Sequence, residues 1–118
     1  MNNPVMPYVS PLFPPPYYAV IFTNEQVEEL EGYSKMAEEM ERLAAQQKGY
    51  LGMDHARSEQ GITVSYWKNE EDILAWKAVQ EHSLAQQNGK NKWYSRYTVR
   101  VCRVEREYSW ESNNAIDE

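Results

Sequence analysis

The stretch YYAVIFT occupies residues 17–23 of this 118-residue chain. It is short, aromatic and β-branched, which is typical of a β-strand. Apolar residues fall in both phases of the strand alternation, so both faces of the strand are predicted to be covered. The fold must therefore supply a covering layer on each side of the sheet that contains this strand.

A helix and a pair of strands are predicted to follow. Apolar residues recur within 32–47 at the helical period of about 3.6 residues, with charged residues on the other side. Two strands are predicted over 50–59 and 62–68, with Gln60-Gly61 as the turn between them. Because side chains alternate along a strand, the neighbours Tyr66 and Trp67 are predicted to lie on opposite faces.

A second helix and a fourth strand complete the pattern. Asn69 and the three acids after it are typical of a helix start, and this helix is predicted over 70–87. The last strand is predicted over 92–108, and its apolar phase changes near Val101–Cys102, which a bulge or a change of covering partner would explain. The order strand-helix-strand-strand-helix-strand predicts an α+β, ferredoxin-like βαββαβ fold, in which both helices lie on one face of a four-stranded antiparallel sheet.

The helices leave the other face of that sheet bare. The first strand is apolar in both phases and Trp67 lies opposite Tyr66, so the bare face is predicted not to face water. Symmetric dimers are the commonest oligomers, and a second copy of the chain is the predicted cover.

The two ends of the chain differ in composition from its body. All six prolines lie within residues 1–16, which favours an extended arm outside the fold. Residues 17–108 form the predicted domain, and residues 109–118 form a polar, acidic tail.

Composition argues against several classes of function. The chain has 12 basic and 18 acidic residues, and a net charge of −6 disfavours a nucleic-acid partner. No apolar stretch approaches the roughly 18–20 residues of a membrane span. The single cysteine, Cys102, cannot form an internal disulfide, which points to the reducing cytoplasm.

The chain also lacks the common catalytic motifs. It has only two histidines and no phosphate-binding glycine loop, Ser-His-Asp set or HExxH motif, so no metal site built by the protein is predicted. If the chain is an enzyme, its reactivity is expected to reside in the substrate or in a bound cofactor.

The densest group of aromatic and reactive side chains contains Tyr66, Trp67, Trp76 and His82. With other segments in the same order, this group resembles the antibiotic biosynthesis monooxygenase domain across residues 17–108. The segments are YYAVIF at 17–22, GY at 32–33, MA at 36–37, GYLG at 49–52, GITVSYW at 61–67, WK at 76–77, EH at 81–82, AQ at 85–86 and WY at 93–94.

The resemblance implies a dimeric α/β barrel, in which each subunit has a pocket between its sheet and its helices. Characterised members include cofactor-free oxygenases of aromatic polyketides and heme-degrading monooxygenases. The leading hypothesis is a monooxygenase that oxygenates an aromatic or quinol-type small molecule without an obligatory metal. The alternatives are a heme-binding or heme-degrading relative, and a non-catalytic dimeric protein that binds a ligand or serves in stress.

Site residues are predicted by residue type and face. Trp76, as a pocket wall, and His82, as a general base, are the predicted catalytic residues. The predicted substrate-binding set adds further ring walls and a cation that would stabilise developing negative charge. This set consists of Tyr66, Trp67, Gln86 and Arg96. Each ring has a competing interpretation as a core residue, and Trp93, Tyr94 and Tyr97 are expected at the dimer interface.

The heme-degrading branch of the family offers a test at the level of residues. Its motif places a tryptophan on the second helix and a heme-ligating histidine ten residues later. Trp76 matches the tryptophan, whereas the histidine position is Gln86, which is a poor iron ligand. His82, about one helical turn earlier, is the substitute ligand if heme binds. The family's asparagine on the first strand corresponds to Asn24.

Overall fold

The computed structural model describes residues 13–26, 33–86 and 94–112. Its four strands form one antiparallel sheet in the order β2-β3-β1-β4. The predicted α+β, ferredoxin-like βαββαβ order is confirmed. The elements are β1 (Tyr17–Gln26), α1 (Tyr33–Ala45), β2 (Tyr50–Arg57), β3 (Gln60–Trp67), α2 (Glu70–Gln86) and β4 (Tyr94–Val104).

Some predicted features lie outside the described residues. These are most of the N-terminal arm, the start of the last strand at 92–93 and the end of the tail at 113–118. Within the ranges that are described, neither helix is both long and apolar enough to cross a membrane.

β1 is three residues longer than predicted. It continues past Thr23 to Gln26, because its polar end is paired on both sides. Asn24 lies opposite Gly61 of β3 and opposite Tyr97 of β4. Two neighbouring strands satisfy the backbone groups of this segment, so its polar side chains do not end the strand.

The turn between β2 and β3 lies two residues before its predicted position. Ser58 and Glu59 form it, and the Ser58 amide donates to the Gln60 carbonyl at 3.1 Å. Gln60 and Gly61 belong to β3, where Gly61 lies opposite Arg57. The glycine that was predicted to form the turn is therefore a strand residue.

Of the two explanations for the phase change near Val101–Cys102, the bulge is wrong. Pairing of β1 with β4 is continuous there, and the register shifts instead at Glu25/Gln26. The apolar phase changes along β4 without a bulge, because both faces of this strand carry apolar side chains. Val99 and Val101 lie on one face and Cys102 on the other.

The sheet has two distinct faces, which the strand register defines. The helix-side face carries the even-numbered positions of β1 and the odd-numbered positions of β3, including Val20, Phe22, Ser65 and Trp67. The open face carries their neighbours on the same strands. Its members include Tyr17, Ala19, Ile21, Val64, Tyr66 and Cys102.

The core lies between the helix-side face and the two helices. Trp67 is fully buried at its centre, and the Trp76 ring of α2 stacks on it at 5.9 Å with an interplanar angle of 23°. Val20, Ala44 and Ile73 complete this cluster. Burial of two indoles against aliphatic side chains supplies a large apolar area and fixes α2 on the sheet.

The connection from α1 to β2 depends on Gly49. Its φ of 83° lies in the left-handed region, which favours glycine after a helix. A side chain there would overlap the Asp72 carboxylate at the start of α2. Gly49 therefore lets the end of α1 approach the start of α2.

Candidate functional site

A cavity of about 410 Å³ lies between the helix-side face and the helices. This volume falls within the usual range of small-molecule pockets, about 300–1,000 Å³. Val20 and Phe22 of β1 and Thr63 of β3 line it from the sheet, and Met40 of α1 and Trp76 of α2 line it from the helices. The cavity therefore has an apolar, partly aromatic wall with room for a ring system.

Two tryptophans build the aromatic end of the cavity. Trp76 is only 5% exposed and lines the cavity directly. Trp67 lies beneath it, stacked on the Trp76 ring, and does not belong to the lining. Tyr50 contacts Trp67 edge-on at 5.6 Å. Trp67 thus supports the Trp76 ring, and Trp76 presents an aromatic surface to a ligand.

A second aromatic group closes the cavity near β4. Tyr94 lines the cavity and meets Phe22 edge-on, with 5.5 Å between ring centroids. Tyr97 contacts both rings at 5.1 Å and 5.9 Å. The prediction that placed Tyr94 at a dimer interface does not describe this position, because its ring is buried within the chain against Leu84.

Ser65 supplies a hydroxyl on the floor of the cavity. It is 4% exposed, and its Oγ accepts a hydrogen bond from Trp67 Nε1 at 2.8 Å. A hydroxyl that accepts one bond still has its own proton to donate. Since Ser65 also lines the cavity, that proton can serve a ligand oxygen.

His55 is the single histidine among the described residues that line the cavity. It lies on β2 opposite Thr63 of β3 and is exposed at the rim. Imidazole is the side chain used most often for proton transfer in enzymes. His55 therefore brings a possible general base to the sheet side of the cavity, next to the hydroxyl of Thr63.

Arg57 lies two residues beyond His55 on the same face of β2 and also lines the cavity. Its Nη2 donates to Oδ1 of Asn24, which is only 3% exposed. The Asn24 Nδ2 in turn donates to the Gly61 carbonyl at 3.5 Å. The polar end of the cavity is formed by His55, Thr63 and Arg57.

The two carboxylates of the lining come from the opposite wall. Glu38 and Glu41 lie on α1, where both are exposed to solvent. Water screens exposed charges strongly, so these carboxylates affect the mouth of the cavity more than its interior. The cavity thus combines an aromatic interior with charges at its rim.

The six predicted site residues are not brought together in one place. Trp76 lines the cavity, and Trp67 supports it from below. His82 and Gln86 lie on exposed positions of α2 and do not belong to the lining.

Tyr66 and Arg96 also lie elsewhere. Tyr66 is on the open face, where its hydroxyl donates to Asp54 Oδ2 at 2.8 Å. Burial, followed by this bond to Asp54, raises the pKa of Tyr66 well above its usual range. Arg96 is exposed and pairs with Glu25 at 3.0 Å, and the hydrogen bond to this carboxylate raises the pKa of its guanidinium.

A second polar cluster occupies the open face. Tyr17 donates to Oε1 of Glu107, and the Phe13 amide donates to Oε2 of the same carboxylate at 2.7 Å. Tyr17 meets the Tyr66 ring edge-on at 6.0 Å. Burial, with the bond to Glu107 as the second cause, raises the pKa of Tyr17 to about 12. Glu107, which follows β4, thus binds both Phe13, which precedes β1, and Tyr17 at the start of β1.

The sequence interpretation missed most of the residues that line the cavity from the sheet. His55, Ser65, Arg57 and Tyr94 were not among the predicted site residues. The sequence does carry a signal for Ser65, because alternation along a strand places residues 65 and 67 on the same face. The sequence does not show which of the two faces of the sheet lies beneath the helices.

The cavity does not fit the heme-ligation pattern of the family. The imidazole in its lining comes from β2, whereas the family's ligand comes from the second helix, where this chain has the exposed Gln86. His82 is exposed and lies outside the lining. Among the residues that the structure describes, the second helix therefore offers no heme ligand to the cavity.

Solved structures of similar fold come from distant sequences. PA3566 from Pseudomonas aeruginosa superposes with a TM-score of 0.60 at 13% identity, covering 80% of this chain and 97% of that one. A protein named "Putative antibiotic biosynthesis monooxygenase" from Nitrosomonas europaea gives 0.55 at 12% identity, covering 79% and 91%. The fold of this chain is therefore of the antibiotic biosynthesis monooxygenase type.

A closer relationship is visible in sequence. No protein-family model matches the chain. The uncharacterized protein YqjZ of Bacillus subtilis (strain 168) is 41% identical over 111 residues, which cover 92% of this chain and 97% of that protein. The chain belongs to the family of YqjZ.

Proposed function

We propose that this protein is a small-molecule monooxygenase that oxygenates an aromatic or quinol-type substrate in the cavity, without an obligatory metal. The observation that carries the proposal is the cavity of about 410 Å³, walled by Trp76 and Tyr94 and floored by the Ser65 hydroxyl. The monooxygenase-type fold supports the same reaction class. A cavity of this shape suits a flat, electron-rich ring system.

The proposed chemistry uses the electrons of the substrate itself. A ring-activated CH₂ group loses a proton to the His55 imidazole and becomes a carbanion. The carbanion passes one electron to O₂, and the resulting superoxide and carbon radical combine to a peroxide anion. This anion takes the proton back from the His55 imidazolium and becomes a hydroperoxide. Loss of water then leaves a carbonyl group, so that CH₂ and O₂ give C=O and H₂O.

The protein assists this reaction by positioning and by hydrogen bonding. The Ser65 and Thr63 hydroxyls lie on the helix-side face, where they can donate to a substrate oxygen as negative charge develops on it. Trp76, Met53 and Phe22 exclude water from the ring. Hydrogen bonding and the exclusion of water by these side chains require no cofactor.

A second copy of the chain is part of the proposal. In the ranges that the structure describes, both helices lie on the helix-side face, and the open face carries Ile21, Val64 and the exposed Cys102. An apolar sheet face of this kind is stabilised when another apolar surface covers it. A homodimer formed through the open faces leaves both cavities accessible from the helix side.

Oxygen consumption with dithranol, an anthrone, tests the proposal. We expect uptake above the protein-free rate and unchanged after treatment with EDTA. Trp76→Phe should lower kcat/KM about tenfold, since a smaller ring holds the substrate less firmly. Trp110→Phe is the matched control, because Trp110 is 83% exposed in the C-terminal segment.

Two results would count against the proposal. Saturable binding of several anthrones and quinols without oxygen uptake would favour the non-catalytic ligand-binding protein. Oxygen uptake that is equal in wild type and Trp76→Phe would place the reaction outside this cavity.

A further inference from the structure

Ser65 occupies a nearly closed position at the floor of the cavity. It is 4% exposed, lines the cavity, and lies between Val20 of β1 and Met53 of β2. A serine hydroxyl carries one proton to donate and lone pairs that accept. A buried hydroxyl in apolar surroundings costs free energy unless its proton finds an acceptor. Which group accepts this proton therefore bears on what the cavity binds.

The indole of Trp67 fixes the role of the Ser65 hydroxyl. Its Nε1–H donates to Ser65 Oγ at 2.8 Å, from two residues further along the same face of β3. An indole N–H only donates, so Ser65 cannot return a hydrogen bond to it. Trp67 is fully buried and stacked on Trp76, and its ring is therefore held in place. Ser65 accepts from Trp67 and must direct its own proton elsewhere.

Among the residues that the structure describes, the bond from Trp67 is the one hydrogen bond recorded for the Ser65 side chain. Thr63 carries the other hydroxyl of the lining and lies two positions earlier on the same face of β3. Strand positions two apart are separated by about 6.5 Å, which is beyond hydrogen-bond reach for two short side chains. The Ser65 proton is therefore available to an acceptor atom of a ligand in the cavity.

This donor and the proposed base lie on neighbouring strands. His55 of β2 is opposite Thr63, and Ser65 is two residues further along β3 on the same face. Diagonal neighbours of this kind are about 7–8 Å apart. A base and a donor at that separation can engage opposite edges of one ring. A proton can then be removed at one edge while negative charge is stabilised at the other.

That arrangement helps the proposed reaction only with one type of substrate. Removal of a proton from a CH₂ group creates negative charge, and conjugation moves this charge onto an oxygen if the ring system also carries a ketone. A hydrogen bond to an oxygen strengthens as the oxygen becomes charged, so the donor stabilises the transition state more than the substrate. An aromatic hydrocarbon of the same shape would leave the buried proton without an acceptor.

We propose that the Ser65 hydroxyl, held by the Trp67 indole N–H, selects cyclic aryl ketones whose reacting CH₂ group is conjugated to the ketone. This inference rests on the proposed function, because it names the substrate class of the same cavity. The proton moves from the CH₂ group to His55, and the electron pair left behind is shared with the ketone oxygen beside Ser65. Trp67 is a positioning residue, because it acts through Ser65 and also polarises its O–H bond.

Two flat probes that differ in one oxygen test this inference. 9-Fluorenone carries a ring ketone where fluorene has a CH₂ group, and each is titrated while tryptophan fluorescence is followed. The quantity compared is the ratio of the dissociation constants, fluorene over fluorenone. We expect this ratio to fall about fivefold in Ser65→Ala, as is typical for loss of one hydrogen bond. The infrared carbonyl band of bound fluorenone should lie at lower wavenumber in the wild type than in this variant.

Two further variants separate the hydrogen bond from packing. Trp67→Phe keeps a ring in the core but removes the N–H donor, and it should lower the ratio and shift the carbonyl band toward that of Ser65→Ala. A role in packing alone would weaken binding of both probes equally and leave the band in place. Ser58→Ala is the matched control, because Ser58 is exposed in the turn between β2 and β3 and does not line the cavity. A thermal melt of each variant establishes that it is folded.

The outcomes separate this inference from the proposed function. An unchanged ratio and carbonyl band in Ser65→Ala would overturn the role of Ser65 and leave the aromatic cavity intact, and this test stands even if Trp67→Phe does not fold. The wild-type ratio and band in Trp67→Phe would overturn the role of Trp67. Binding of neither probe by the wild type would mean that the cavity does not admit flat ring systems, and both proposals would then fail.

Discussion

The two faces of the sheet are built by the same strands but differ in what their polar side chains do. On the helix-side face, the Ser65 hydroxyl and the His55 imidazole border a cavity. On the open face, the Tyr66 and Tyr17 hydroxyls are bound to carboxylates. Polar groups that line a cavity can form hydrogen bonds with a ligand, whereas polar groups that are bonded to each other stabilise the fold.

This contrast shows that the face of a residue, more than its type, decides its role. Tyr66 and Trp67 are neighbours in sequence and are both aromatic. One is bonded to Asp54 on the open face, and the other supports the Trp76 wall of the cavity. The following four predictions test this difference between the faces.

The largest effect is expected from removal of the buried ring. Trp67→Ala should lower the free energy of unfolding by about 3–5 kcal/mol, because it leaves a large void beneath Trp76. Tyr66→Phe loses only the hydrogen bond to Asp54 and should cost about 1 kcal/mol. Urea denaturation at one protein concentration measures both. Equal losses would contradict the placement of Trp67 at the centre of the core.

The two histidines should differ in their effect on turnover. His55→Gln should lower the rate of oxygen uptake with dithranol about 100-fold, which is the lower range for loss of a general base. His82→Gln should leave it nearly unchanged, because His82 is exposed outside the cavity lining. The opposite ranking would support His82 as the base, as the sequence predicts, and would exclude His55 from that role.

Neighbouring residues of β4 should differ in their effect on association. Cys102→Asp places a charge on the open face and should weaken the homodimer by about ten- to 100-fold. Val101→Asp places the same charge on the helix-side face, where Val101 is 50% exposed, and should leave the dimer intact. Light scattering over a range of concentrations measures the mass. A monomer in wild type at micromolar concentration would refute the dimer.

The smallest effect concerns alkaline stability. The pKa of Tyr17 is raised to about 12 from 10.0, so the folded protein retains a proton that the unfolded chain loses first. The stabilisation is complete below pH 10 and is lost as the pH rises from there toward 12.

Tyr17→Phe should therefore reduce the pH dependence of unfolding in this window by up to about one proton. Tyr108→Phe is the control, because Tyr108 is 90% exposed. Urea titrations at several alkaline pH values give the slope. An identical slope in wild type and Tyr17→Phe would show that Tyr17 does not titrate as proposed.

The order of helices and strands could be predicted from the sequence because it depends on local patterns. The helical apolar period in 32–47 and the acids after Asn69 are signals within one segment. The ends of the strands were harder to predict from the sequence, because they depend on pairing with neighbouring strands. Gln60 and Gly61 resemble a turn in isolation, but Arg57 and Asn24 lie opposite Gly61 on either side and make it part of a strand.

Which residues line the cavity depends on strand register and helix packing, and the sequence alone does not show either. Trp76 was predicted because a tryptophan on the second helix is part of the motif of the heme-degrading monooxygenases. Ser65, His55 and Arg57 were missed because they come from two strands whose shared face is fixed only by the register. Alternation divides each strand into two sets, but the packing of the helices decides which set meets the cavity.

The reaction in the cavity is tested most directly by the oxygen that it transfers. Dithranol is incubated with the protein under oxygen-18 gas, and the product is analysed by mass spectrometry. We expect one oxygen-18 atom in the new carbonyl group, formed faster than without protein and slowed in His55→Gln. A product formed at the protein-free rate, or one whose oxygen comes from water, would contradict the proposal that this cavity carries out oxygenation.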